Sequence, residues 1–258
     1  MTSSDISPPD SVIHDDHALA GWLATVAGQR LQQVRAEGLE GKALKDAGDL
    51  VSHELLMDLL TTHRRNDAVL SEEGKDDHIR LAASRVWIID PLDGTREFSE
   101  PPRDDWAVHV ALWEDGELVA GAVAQPGLDT TFTTGDPVHV PPRTSDRPRI
   151  AVSRTRPPVF VSQLAEQMGA ELVPMGSAGA KVISVVRNVT DAYVHAGGQY
   201  EWDSAAPVAV ARASGLHTSR VDGSTLRYNQ PDPLLPDLIV CRPELADAIV
   251  TFVQRFEN

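Results

Sequence analysis

Four consecutive apolar residues, Val86-Trp87-Ile88-Ile89, run into Asp90, and the chain continues Pro91-Leu92-Asp93-Gly94-Thr95. The apolar run reads as a short buried strand. Asp90 follows it directly, so its carboxylate emerges at a strand end, a common place for sites in α/β proteins. Pro91 fixes φ and stiffens the turn. Asp93 then returns near Asp90, which brings two oxygen donors into one neighbourhood able to hold a metal. Gly94 permits close backbone approach, and Gly94-Thr95 opens a helical turn whose free N–H groups can hold a phosphate. A bare pair of aspartates three apart would read as a strand terminator and a helix N-cap. The full run after four apolar residues favours the metal reading.

The elements around it suggest layers. Residues 15–36 carry Leu19, Trp22, Leu23, Val26, Ala27, Leu31 and Val34 at helical spacing, and residues 49–64 repeat the pattern. Strands are expected at 68–73 and 86–90, then a pair at 105–115 and 117–127 joined by Asp115-Gly116, then 130–135. The proline-bearing stretch 135–148 is the best candidate for a boundary. Beyond it strands (149–153, 170–175, 191–195, 237–241) alternate with helices (158–169, 177–188, 202–215, 243–256). A helix pair, a largely antiparallel sheet and then alternating strand and helix point to layered α/β packing. Residues 1–14 read as a flexible tail. Residues 15–134 form one lobe and 149–258 the other, together one compact catalytic unit.

The formal charge of −15 argues against a nucleic-acid backbone binder. It leaves room for small anionic substrates, because bound divalent cations invert the local sign. The single cysteine, Cys241, lies in an apolar run and reads as core. It allows no intrachain disulfide, which suits a reducing cytoplasm. No apolar run is long enough to span a bilayer, so a soluble, cytoplasmic protein is expected.

Phosphatases with an aspartyl nucleophile also place carboxylates after an apolar strand, but their nucleophile stands two residues before the aspartate of the Asp-Gly-Thr run, and here the position two before Asp93 is Pro91, which has no carboxylate. The context resembles the inositol monophosphatase superfamily, magnesium-dependent and lithium-sensitive phosphomonoesterases. The motif Asp90-Pro91-Leu92-Asp93-Gly94-Thr95 carries the likeness, with Leu70-Ser71-Glu72-Glu73 upstream and Glu201-Trp202-Asp203-Ser204-Ala205-Ala206 downstream. Within the superfamily, Thr95-Arg96-Glu97-Phe98 resembles the CysQ-type 3′-phosphoadenosine 5′-phosphate phosphatases of sulfate assimilation. Inositol phosphates and fructose 1,6-bisphosphate are the alternative substrates, and a non-catalytic member of the fold is the alternative class.

The resemblance implies an α-β-α-β-α sandwich and two or three Mg2+ ions, with a homodimer as a possible assembly. Glu72, Asp90 and the Leu92 carbonyl would hold one ion, and Asp93 and Asp203 a second bridged by Asp90. Glu72 and Thr95 would activate water, with Asp49 supporting them, although Lys45-Asp46-Ala47-Gly48-Asp49 departs from the family's pattern. Gly94 and Thr95 would take phosphate oxygens. Ser177, Lys181 and His195 are the substrate-side candidates, against the plainer readings of Ser177 as an N-cap and Lys181 as solvated surface. Arg154, Arg156, Arg220 and Arg227 could supply positive charge or simply line the surface, and Tyr228 is expected to pack in preference to stacking on adenine.

Overall fold

The computed structural model describes residues 6–155 and 157–256. A short helix, Asp10–Ile13 (α1), precedes two long ones, Asp16–Ala36 (α2) and Gly41–His63 (α3). Asp15 caps α2 by accepting the His17 and Ala18 N–H groups, which satisfies two otherwise orphaned donors. The tail expected over 1–14 is thus ordered from Ile6 onward, with Ile6 and Val12 packed on the outer core; residues 1–5 lie outside the described residues.

The first sheet holds Ala68–Ser71 (β1), Arg85–Asp93 (β2), Ala107–Glu114 (β3), Glu117–Gln125 (β4) and Thr130–Thr133 (β5) in sequence order. Only the β1–β2 pairing is parallel. A single turn of helix, Thr95–Phe98 (α4), follows β2. The second sheet holds Arg149–Ser153 (β6), Glu171–Met175 (β7), Ala192–Tyr200 (β8), His217–Ser219 (β9) and Leu234–Cys241 (β10), in the order β7-β6-β8-β10-β9. Its helices are Val159–Met168 (α5), Ala178–Val186 (α6), Glu201–Ala213 (α7) and Ala246–Phe256 (α8).

Side-chain alternation explains why these pieces stack in five layers. On β2, Trp87 and Ile89 enter the outer core beneath α2 and α3, while Val86 and Ile88 enter the middle core with α6 and α7. On β10, Leu238 and Val240 face that same middle core, and Ile239 and Cys241 face the opposite one, beneath α5 and α8. Strands buried on both faces need helices on both sides. Complete burial of Ile88 and Ile89 contributes about 1.5–3 kcal/mol each. The architecture is the α-β-α-β-α sandwich that the resemblance implied, and the middle core draws on both halves of the chain.

Sequence and structure differ chiefly at α3, which begins at Gly41 where the periodicity suggested 49. Its first two turns are mostly polar, yet Leu44 and Gly48 are buried. β8 runs on to Tyr200, beyond the expected 195, because β10 pairs with it along that length.

A buried ion cluster locks the second sheet. The fully buried Asp191 accepts from the Arg149 backbone N–H at 2.8 Å, from Arg149 Nε at 3.2 Å and from Arg242 Nε at 3.0 Å. Burial alone would raise the Asp191 pKa, but these arginine bonds outweigh it and hold the carboxyl below its usual 3.8. Its stabilising contribution is therefore present above about pH 4 and fades as pH falls through the lower, folded-state value. Asp191→Ala is expected to cost about 3 kcal/mol at pH 7 in denaturant melts, with the gap to wild type narrowing below pH 4.

Candidate active site

The site begins with a defect in β2. Asp90 pairs opposite His109 and Asp93 opposite Ala107, so three steps on β2 match two on β3. In an unbroken strand, residues three apart face opposite sides. The extra residue of a bulge returns Asp93 to the face that carries Asp90, toward the middle layer. Pro91 suits the position, having no N–H to withdraw from the ladder. The Leu92 N–H turns back onto Asp90 Oδ1 at 3.0 Å, and Ser52 Oγ of α3 donates to the Pro91 carbonyl at 2.6 Å. The strand expected to end at 90 therefore ends at Asp93.

Asp203 arrives from the first turn of α7, where its Oδ2 accepts the Tyr200 N–H at 2.7 Å. One oxygen each from Asp90, Asp93 and Asp203 lie within 4.8 Å of one another. Glu72, one residue beyond β1, is exposed and interacts electrostatically with Asp90, Asp93 and Asp203. Burial, then the neighbouring carboxylates, pushes Asp90 well above its usual pKa and Asp203 up to about 6. Loss of solvation around its carboxyl, opposed by the contact with Asp90 and reinforced by Asp203 and Asp93, takes Glu72 to about 7. Asp93 goes the other way. Burial opposes its charge, but His109, Ser177 and the Gly179 N–H together hold its carboxyl at about 2. Clustered carboxylates cannot all ionise without a counter-charge. Four hard oxygen donors gathered here, three of them held back from ionising, fit a metal site for a divalent cation.

Asp49 and Thr95 flank the cluster. Thr95 Oγ lies 3.2 Å from Asp49 Oδ1 and 3.1 Å from the Leu92 carbonyl, so its single proton is shared between two acceptors. Asp49 reaches this point because α3 passes very close to the motif at Gly48. A Cβ there would lie 2.7 Å from the Phe98 ring and 2.8 Å from a Leu92 methyl. Glycine inside a helix costs about 1 kcal/mol relative to alanine, and here that cost permits the approach. Burial, then Glu73, raises the Asp49 pKa to about 6. Gly94 turns the chain into α4 at φ 83°, a conformation suited to glycine.

The substrate-side candidates lie on the start of α6 and on β8. The N terminus of α6 meets Asp93: the Ala178 N–H reaches Oδ1 at 3.1 Å and the Gly179 N–H reaches Oδ2 at 2.6 Å. Ser177 Oγ also donates to Oδ2 and accepts the Ala180 N–H, so the N-cap reading of Ser177 holds alongside a direct contact with the cluster. Ser177 stands at φ 47° and ψ 136°, a strained backbone for a residue with a Cβ. Lys181 is buried and not solvated. Its Nζ donates to the Ser177 carbonyl at 2.6 Å and the Gly176 carbonyl at 3.2 Å, over the Tyr193 ring. His195 is half-buried and donates from Nε2 to the Gly197 carbonyl at 3.0 Å; burial, then Lys181, pushes its pKa down to about 4, so it is neutral.

Two of the candidate arginines are already engaged. Arg154 pairs with Glu97 at 2.6 Å and with Glu100 at 2.8 Å, and Arg220 pairs with Asp237. Arg227 is exposed, Tyr228 is buried against Ser204, and Arg156 lies outside the described residues. Three further features escaped the sequence reading. The fully buried His109 touches Asp93. Glu97 is buried against Arg154 of the other sheet. Arg80 joins Asn229 at 2.7 Å, and Glu201 of α7 accepts the Asn229 N–H at 2.6 Å. Each joins residues from different elements of the fold, 16 or more positions apart in sequence, so local spacing carries no sign of it.

A model of the inositol monophosphatase family matches residues 16–255. The chain belongs to that family. It is 49% identical over 253 residues to a 3′-phosphoadenosine 5′-phosphate phosphatase of Mycobacterium leprae, covering 93% of each chain. It is 29% identical to the 3′(2′),5′-bisphosphate nucleotidase CysQ of Salmonella typhimurium, covering 83% of this chain and 94% of that one. Among solved structures, CysQ from Bacteroides thetaiotaomicron superposes with a TM-score of 0.73 at 25% identity, covering 87% of this chain and 96% of that one. Inositol monophosphatase II of Staphylococcus aureus matches at 0.75 and 21% identity, over 89% and 93% of the two chains, a likeness of fold.

A cation that relieves the carboxylate repulsion binds the folded state selectively. Mn2+ or Mg2+ at one hundred times its Kd should stabilise the protein by about 2.7 kcal/mol, read as a rise in Tm. In Asp203→Asn that rise should be largely lost.

Proposed function

We propose that this chain removes the 3′-phosphate of 3′-phosphoadenosine 5′-phosphate, yielding AMP and phosphate, with two or three Mg2+ ions at the carboxylate cluster. The convergence of Asp90, Asp93 and Asp203 within 4.8 Å, at a strand bulge facing two helix N-termini, carries the phosphatase reading. The nucleotide substrate is supported by the near-half identity, across almost the whole chain, to proteins bearing that name.

Glu72, Asp90, Asp93, Asp203 and the Leu92 carbonyl are the groups that would hold the ions. Bound there, they would neutralise the phosphate and clamp the attacking and leaving oxygens of an in-line displacement. The chain's own groups do the rest. Thr95, its hydroxyl directed by Asp49, would orient the attacking water. Glu72, poised near neutrality, suits the removal of its proton. The Gly94 and Thr95 N–H groups would stabilise charge developing on the phosphoryl oxygens. Lys181 would act indirectly, since its ammonium is committed to the carbonyls that shape the Ser177 turn.

A panel of 3′-phosphoadenosine 5′-phosphate, inositol 1-phosphate and fructose 1,6-bisphosphate, assayed with Mg2+, should give the highest kcat/KM for the nucleotide. A tenfold preference for inositol 1-phosphate would overturn the substrate assignment. Asp90→Asn should lower kcat on the order of 10²-fold or more, and chelation should abolish turnover of the wild type.

A further inference from the structure

His109 is fully buried on β3, directly opposite Asp90 in the ladder. Its ring stands between the two elements that carry the three aspartates. Nδ1 lies 3.0 Å from the Trp202 carbonyl, in the first turn of α7 and next to Asp203. A carbonyl can only accept, so Nδ1 carries a hydrogen. Nε2 lies 3.2 Å from Asp93 Oδ2 in an ion-pair contact. Nδ1 is hydrogen-bonded, Nε2 faces Asp93 as a charge contact without an aligned hydrogen bond, and α6 closes over the ring. A Cβ on Gly179 would fall 2.0 Å from Nε2, so α6 can press this closely only with glycine there.

This crowding falls on one oxygen. Oδ2 of Asp93 meets Ser177 Oγ, the Gly179 N–H and His109, whereas Oδ1 accepts only the Ala178 N–H. A carboxylate oxygen has two lone pairs, so Oδ1 is the one left able to bind a cation. The contact with Trp202 holds the first turn of α7 at a fixed distance from the same carboxylate.

We propose that His109 is a positioning residue. It orients Asp93 and holds the first turn of α7 against it, and so sets the affinity of the three-aspartate cluster for a divalent cation without ligating that cation itself. The inference rests on the metal reading of the site.

Calorimetric titration of metal-stripped protein with Mn2+ tests it. His109→Phe, which fills the space without polar contacts, should weaken Kd by about 10- to 100-fold. His109→Gln places an amide near the Nε2 position and His109→Asn near Nδ1, so each keeps one contact and should fall between Phe and wild type. KM for substrate at saturating cation should stay within about twofold of wild type, which separates cation placement from general loosening. A folded His109→Phe protein with wild-type Kd overturns the proposal. If that variant does not fold, wild-type Kd in both the Gln and Asn proteins overturns it equally. A wild-type protein that binds no Mn2+ removes the metal reading, and the proposal with it.

Discussion

A one-residue bulge places two carboxylates on the same face of a buried strand, and most of the site's architecture follows from that. Asp90 and Asp93 can share a cation only because three positions of β2 are spent against two of β3. The displaced backbone must then be satisfied elsewhere. Ser52 takes the Pro91 carbonyl, Asp90 takes the Leu92 N–H, and Thr95 takes the Leu92 carbonyl. The surrounding helices are therefore drawn to the motif by hydrogen bonds as well as by apolar burial. Gly48 lets α3 descend onto it, and the start of α6 points its amides at Asp93.

The same region is also where the two sheets are tied together. Glu97, immediately after the motif, is buried against Arg154 at the end of β6. Gly176 gives its N–H to Asp105 at 2.6 Å, and a Cβ on Gly176 would overlap the Glu97 side chain at 2.2 Å. Arg80 bridges from the first half of the chain to Asn229 and Gln230, whose N–H groups are held by Glu201. Asp203 comes from one side of this contact and Asp90 from the other. A cation held by the proposed ligands would therefore join the two halves beside these ties.

Much of this was legible in the sequence, for reasons that can be named. The run Val86–Ile89 announced a buried strand because both of its faces are covered. The aspartates of two separated motifs announced a shared site, and Asp90, Asp93 and Asp203 do converge. Boundaries were less legible where polar residues mask a helix, as in the first two turns of α3. For Lys181 the plainer alternative of a solvated surface lysine fails, because sequence shows its charge but not the two carbonyls that satisfy it. Arg154 looked available for an anion because its partner Glu97 lies 57 positions away. Within Arg96-Glu97-Phe98, Arg96 is exposed against Glu100, Glu97 is an inter-sheet tie and Phe98 packs on Trp106. These residues mark the CysQ-like branch through packing, and none of them depends on contact with a nucleotide to explain its place.

Ser177 has a consequence for reading substitutions in this site. Its backbone holds a conformation that costs about 1–3 kcal/mol for a residue with a side chain. Asp93 is one of the groups that keep it there, through the hydroxyl and the two amides that follow. Exchanging Asp93 would therefore relax a sprung turn as well as delete an oxygen donor, and the loop would be free to settle elsewhere. Asp203 carries no such second duty toward that turn. Equal chemical edits at these two aspartates are physically unequal: one removes an oxygen donor from the cluster, and the other also releases the latch that shapes the turn at Ser177.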